Sequence, residues 1–272
     1  MSDESGGLTS ADENRRAFDA AAPVYDAEYE DLPGIRRMRA ATHALYLKYF
    51  SPGARLLEIN CGTGTDALFL ARLSMRVMAT DLSASMIDQV HRKADAAGLA
   101  GSVEARQLSF GELGALRGSV FDGAYSNFGG LNCTDALGDV ARNLGALLHP
   151  GGIFIASVMP RFSLSETAAF LSHLHLRSAF RRLSRGPVMA RFHGAHVATY
   201  YHSHRAFRSA FRERFVHLET VGLAVLTPPP NFTRANRRAG ITLLEHLDRW
   251  AAPLPLFRVI GDHYAIVLRR IP

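Results

Sequence analysis

An acidic side chain stands four residues ahead of a glycine turn in Glu58-Ile-Asn-Cys-Gly-Thr-Gly64. Glycines there let a ligand come close to the backbone, and the carboxylate can accept hydrogen bonds from a cationic or hydroxylated group. Asp81 lies seventeen positions beyond Gly64, where its carboxylate would stand beside the turn, within reach of a ribose with two hydroxyls. An aspartate that merely caps the next helix would look the same in sequence.

Ser126-Asn-Phe-Gly-Gly-Leu-Asn-Cys133 is a second polar, glycine-rich stretch. At the carboxyl edge of an open α/β sheet, where ligands bind, it would lie between a nucleotide and an acceptor, which makes Asn127, Phe128 and Asn132 candidate acceptor contacts. The densest group of titratable and hydroxylated side chains runs from His193 to His204. On a strand His196, Tyr200 and His202 share one face. Histidine is the natural base near neutral pH, so Tyr200 and His202 form the candidate catalytic pair and His196 a candidate acceptor contact. A surface strand with scattered histidines is the alternative. No acidic residue separates His193 from His196 or His202 from His204, and no metal is expected. Arg177, Arg181, Arg182, Arg185 and Arg191 could hold a phosphate or carboxylate, but read more simply as the solvated face of an amphipathic helix.

These residues need elements to hold them. Arg55–Asn60 is a β-rich run ending at the turn, and Asp66–Leu73 continues with helical spacing. Arg76–Thr80 reads as the next strand, followed by a helix with Ser83 as cap and Met86, Ile87 and Val90 on its apolar face. Val103–Leu108, Phe121–Ser126 and Gly152–Val158 read as three more strands, the last entered through His149-Pro-Gly-Gly152. Strands alternating with helices predict an α/β fold with a doubly wound, mostly parallel sheet. Residues 1–12 are polar and expected to be a disordered lead-in. A single domain would fill 13–272, with helices over 13–50, the ligand-binding core over 51–158, a cap insertion after the fifth strand over 159–204, and closing helices and strands over 205–272. Within the last two parts the spacing predicts helices over Ser165–Leu183, Ser203–Phe215 and Thr242–Trp250, and strands over Arg191–Tyr200, Leu218–Leu226 and His263–Arg269.

The chain has 272 residues, 47% of them hydrophobic and 21% charged, enough to bury a core without disulfides or metals. Its two cysteines offer no disulfide framework. The polar N-terminus has no apolar signal region, and no long apolar run follows, so a cytoplasmic location and no membrane partner are expected. A net charge of +6 raises the possibility of a polyanionic partner, but the arginines are dispersed and form no block of like charges.

Together the acidic-x-Asn-x-Gly-x-Gly turn, the acidic end of the second strand and the His-Pro-Gly-Gly turn resemble the class I S-adenosylmethionine-dependent methyltransferases over roughly Phe18–Val158. The resemblance implies a seven-stranded sheet and S-adenosylmethionine as cofactor, with S-adenosylhomocysteine as product. It implies that Glu58, Asn60, Gly62 and Gly64 surround the methionine moiety with Tyr25 and Ser126 near it. Asp81 would bind the ribose, and Leu82 and Met86 the adenosine; Phe110 could stack on the adenine and Ser109 hydrogen-bond its exocyclic amine, with ordinary core packing the alternative for Phe110. Phe18-Asp19 through Tyr25-Asp26 looks like the family's N-terminal helix over the cofactor. The chain departs from the family where Asn60 replaces the first glycine and where Gln107-Leu-Ser109 lacks the acidic residue often found after the third strand. The expected function is methyl transfer by in-line displacement to a small-molecule acceptor. Gly62-Thr-Gly64-Thr-Asp-Ala67 also fits the dinucleotide pattern of NAD(P)-dependent oxidoreductases, but some fifty residues precede the strand and Glu58 sits at its end. A silent cofactor-binding regulator is a third reading. A nucleic-acid substrate is disfavoured because no RNA-binding module is visible.

Overall fold

The computed structural model describes residues 9–230, 232, 235–237 and 240–272. Strand β1 (Arg55–Ile59) is buried along all but its first residue, as expected of a central parallel strand covered on both faces. It lies between β2 (Arg76–Asp81) and β4 (Phe121–Ser126), with β3 (Val103–Gln107) outside β2 and β5 (Leu148–Val158) outside β4, all parallel. The sheet is completed by β8 (Phe215–Leu223) and β9 (His263–Arg270) in the order β3-β2-β1-β4-β5-β9-β8, with β9 antiparallel to both its neighbours.

Alternation along the strands feeds two cores. Leu56, Tyr125, Ile155 and Val267 face α2 (Pro33–Tyr49), α3 (Thr65–Arg72) and α4 (Ala84–Ala96). Leu57, Ala124, Phe154 and Ile266 face α5 (Leu137–Leu147) and α8 (His204–Phe211). The layers are those expected of a doubly wound sheet.

Several expected boundaries move. Helix α1 (Ser10–Ala21) is capped by Thr9, so residues 10–12 belong to it and not to a lead-in; residues 1–8 of that expectation lie outside the described residues. The single helix expected over Ser165–Leu183 is broken into α6 (Leu164–Leu171), α7 (Leu176–Ala179) and a 3₁₀ turn, with Leu174 in the left-handed region. The break turns Arg182 inward. It is 4% exposed, between Glu166 at 2.5 Å and Asp262 at 2.6 Å. Arg181 is paired with Glu166 as well, while Arg177, Arg185 and Arg191 are exposed. The arginine run is therefore not a uniform solvated face. The alternating stretch forms a hairpin of β6 (Val188–Phe192) and β7 (Ala195–Thr199) that ends before Tyr200. Its β7 strand is pinned to α1 by the Asn14 amide, which donates to Ala198 O and accepts from Ala198 N. Helix α9 (Ile241–Ala251) precedes β9, and residues 231, 233, 234, 238 and 239 between β8 and α9 lie outside the described residues.

Removing one partner of a buried ion pair leaves uncompensated charge in a dry interior. Arg182→Met, which strands Glu166 and Asp262, is expected to lower unfolding free energy by about 3–5 kcal/mol, read as a lower denaturant midpoint at unchanged slope.

Candidate functional site

The strand order reverses between β1 and β4, and a cavity of about 310 Å³ opens there at the carboxyl edge, the position at which open α/β sheets take ligands. The structure brings Tyr25, Glu58, Asn60, Gly62, Asp81 and Leu82 to its wall, together with Met86, Ser109, Phe110, Asn127 and Phe128.

Asn60 adopts φ 60°, a left-handed conformation that asparagine tolerates better than most residues other than glycine. Its amide donates to Asn127 O at 3.2 Å and accepts from Ser126 Oγ at 2.6 Å. The turn after β1 is thereby tied to the exit of β4, and the side chain lies where a Cβ on Gly130 would collide with it. Ser126 holds Asn60 and does not reach the cavity wall. Gly64 also stands behind the wall, where its lack of a Cβ lets Val90 pack at what would be 2.9 Å.

Asp81 accepts from Gly62 N and Ser83 N, both at 2.9 Å. Burial raises its pKa more than these two donors lower it. Glu58 is 2% exposed with Tyr125 OH as its hydrogen-bond partner at 3.1 Å, and burial, reinforced by Asp66, pushes its carboxyl well above the usual range. Both carboxyls gain from a cation or a hydroxyl donor brought between them.

Sequence reasoning missed the residues that organise this charge. Burial alone would raise Asp66, but the Arg39 guanidinium at 2.5 Å, His43 at 2.8 Å and the Asn127 amide at 2.7 Å outweigh it and hold the carboxyl down at about 2. Arg39 also donates to Glu30 at 2.8 Å and lies over the Phe128 ring, while its buried Nε has no partner among the described residues. Arg39 and Asp66 are 27 residues apart on two helices, and neither belongs to a short motif that could have signalled the pair. The N-terminal strap over residues 11–26, whose Phe18 and Tyr25 line the cavity, is fixed similarly: Asp19 accepts from Ser83 Oγ and Ser85 N, and Asp26 from Lys93 and Thr63.

The candidate catalytic group is not at this cavity. His202 Nε2 lies 2.9 Å from Thr134 O and 3.1 Å from Leu131 O. Two carbonyls demand a protonated Nε2, which leaves no lone pair there for a base, and burial lowers the pKa of the ring. Tyr200 follows β7 and exchanges backbone contacts with Asn132. Asn132 is fully buried and spends its amide on Met159 N, Met159 O and Tyr200 O, so it clamps the end of β5 instead of facing an acceptor. His196 is exposed on the hairpin. The shared face expected of His196, Tyr200 and His202 does not exist because the strand stops at Thr199. A second, largely apolar cavity of about 750 Å³ lies between α2, α9 and the end of β8. Among the described residues no group of three or more His, Cys, Asp or Glu side chains is arranged to hold a metal ion, and no helix is long and apolar enough to cross a membrane.

Five parallel strands, an antiparallel β9 inserted beside β5, and a site at the β1/β4 reversal define the class I methyltransferase fold. A dinucleotide-binding sheet of two βαβαβ halves does not have this order. Residues 56–152 match the family described as Methyltransferase domain. The ubiquinone biosynthesis O-methyltransferase of Methylocella silvestris is 32% identical over 159 residues, 56% of this chain and 58% of that protein. The chain thus spans less than two thirds of that relative's length. Among solved structures, the cyclase SpnF matches with a TM-score of 0.61 at 17% identity over 98% of both chains. The geranyl diphosphate C-methyltransferase of Streptomyces coelicolor matches at 0.55 and 18% identity over 87% of this chain and 81% of that one. These likenesses are of fold.

Asp66 is more acidic folded than unfolded, so its contribution is present above its unfolded pKa of 3.8 and is lost as pH falls through about 2. The stability gap between wild type and Asp66→Asn is therefore expected to narrow by roughly 2 kcal/mol between pH 5 and pH 2. Parallel urea titrations across that range measure it, and a constant gap would contradict the assignment.

Proposed function

We propose that the protein is an S-adenosylmethionine-dependent methyltransferase that transfers a methyl group to a small-molecule acceptor. The observation that carries this reading is that two buried carboxyls, Glu58 and Asp81, line one cavity together with Arg39, whose Nε has no hydrogen-bond partner among the described residues. That donor set fits a ligand with a cationic end, a carboxylate and ribose hydroxyls. Each Asp81 oxygen spends one lone pair on a backbone amide and keeps another for a hydroxyl. Glu58 would take the ammonium, Arg39 Nε the carboxylate, and Leu82, Met86 and Phe110 the adenine.

When bound, the cofactor supplies an activated methyl group on a sulfonium. The chain's own contribution is alignment and exclusion of water. Phe18 and Tyr25 from the strap cover the cavity, and Tyr25 packs on Tyr29 at 4.9 Å. Asn127 and Phe128 stand at the exit of β4, next to where an acceptor would enter.

Calorimetric titration of S-adenosylmethionine is expected to show saturable binding, weakened about 10- to 100-fold in Asp81→Ala, with no binding of NAD. Binding of NAD without the sulfonium would turn the reading to an oxidoreductase. Glu58 adds a second signature. Because its carboxyl is protonated more readily in the free site, a cation placed beside it releases a proton, and affinity rises with pH until the free carboxyl is ionised. Binding heats in buffers of different ionisation enthalpy should reveal this release, and Glu58→Gln should abolish it.

A further inference from the structure

His263 opens β9 at the carboxyl edge and is 7% exposed. Its Nδ1 lies 2.9 Å from Asp262 Oδ2. Burial disfavours charge on Asp262, but Arg182, which donates to its Oδ1 and to its backbone carbonyl, outweighs that effect and holds the carboxyl well below the usual range. An ionised carboxylate has no hydrogen to donate, so Nδ1 carries one, and in the neutral ring Nε2 keeps its lone pair. Nε2 is buried without a hydrogen-bond partner among the described residues. A buried acceptor in that state loses its hydration without recompense unless a donor reaches it.

The imidazole is on neither cavity wall but is buried behind residues that line both. His263 is the direct cross-strand partner of Leu223, so both side chains project from the α2 face of the sheet, and Leu223 walls the larger cavity with Met38, Ala41 and Ala224. On its other side Nε2 would lie 3.2 Å from a Cβ on Gly129. The neighbours of Gly129, Phe128 and Gly130, wall the smaller cavity.

We propose that His263 is a catalytic residue whose Nε2 takes the proton of a hydroxyl on a predominantly apolar acceptor, with Asp262 and Arg182 as positioning residues. This rests on the methyltransferase reading. As the acceptor oxygen forms its bond to the methyl carbon, its O–H bond breaks and the proton passes to Nε2. The electron pair of the broken carbon–sulfur bond remains on sulfur, leaving a neutral thioether. The imidazolium is balanced by the Asp262 carboxylate.

The test reads the ring itself, by nitrogen NMR of full-length protein carrying isotopically labelled histidine, with His263→Gln to assign the signal and phenol as the hydroxyl probe. Calorimetry comes first, and S-adenosylhomocysteine is expected to bind wild type and His263→Gln alike. Nε2 is expected to be unprotonated, and its resonance to shift saturably when phenol is added to the S-adenosylhomocysteine complex. Asp262→Asn is expected to move the hydrogen to Nε2 and remove the response; should that variant not fold, the wild-type titration decides alone. A protonated Nε2 in wild type, or a resonance that ignores phenol, overturns the proposal, since a merely structural histidine would behave in that way. Failure of wild type to bind S-adenosylhomocysteine would instead count against the methyltransferase reading.

Discussion

A carboxylate that is 3% exposed, that of Asp66, must be fully supplied with donors if it is to stay charged, and the arrangement of the site follows from how that demand is met. Arg39 comes from α2, His43 from the next turn of the same helix, Asn127 from the exit of β4 and Asp66 itself from the first turn of α3. Three elements distant in sequence are thereby locked around one oxygen pair. His43 is further fixed by stacking on Phe69 at 3.7 Å. The same contacts place Arg39 over Phe128 at the cavity wall, with its buried Nε left without a hydrogen-bond partner among the described residues.

Asn60 performs the corresponding task at the end of β1. Asparagine has less backbone freedom there than glycine, yet its amide closes the gap between two turns that glycine would leave unbridged. Because Gly130 has no Cβ, the two turns can approach closely enough for that bridge. Hydrogen-bonded turns hold this part of the wall in place, which favours a preorganised site.

The second half of the chain is attached to this core by polar contacts as well as by packing. Glu166, Arg182 and Asp262 join the insertion to the start of β9. Asn14 joins its hairpin to α1, and Phe18, Tyr29 and Phe192 fill the space between them. Helix α1, which lines the cavity, is therefore held to the hairpin, and any movement of that helix must disturb both.

By itself the sequence determined the parallel half of the sheet, the glycine turn and the acidic residues Glu58 and Asp81. Those features follow from local rules: alternation buries a strand, glycine permits a turn, and a strand followed by a helix fixes where the turn must lie. Leu82, Met86 and Phe110 line the same cavity as the turn because they follow the ends of neighbouring strands at the same edge of the sheet. The clustering of histidines between His193 and His204 was local too, but proximity in sequence said nothing about which ring nitrogens would be spent on backbone carbonyls. Only the tertiary structure decided that His202 Nε2 is occupied by Leu131 and Thr134 while His263 Nε2 has no hydrogen-bond partner among the described residues. The same holds for Arg39 and Asp66, and for Arg182, whose inward turn depends on a helix break at Leu174 and on partners 16 and 80 residues away. Whether a side chain is available for chemistry depends on which donors and acceptors already satisfy it, and in a folded chain those come mostly from segments remote in sequence.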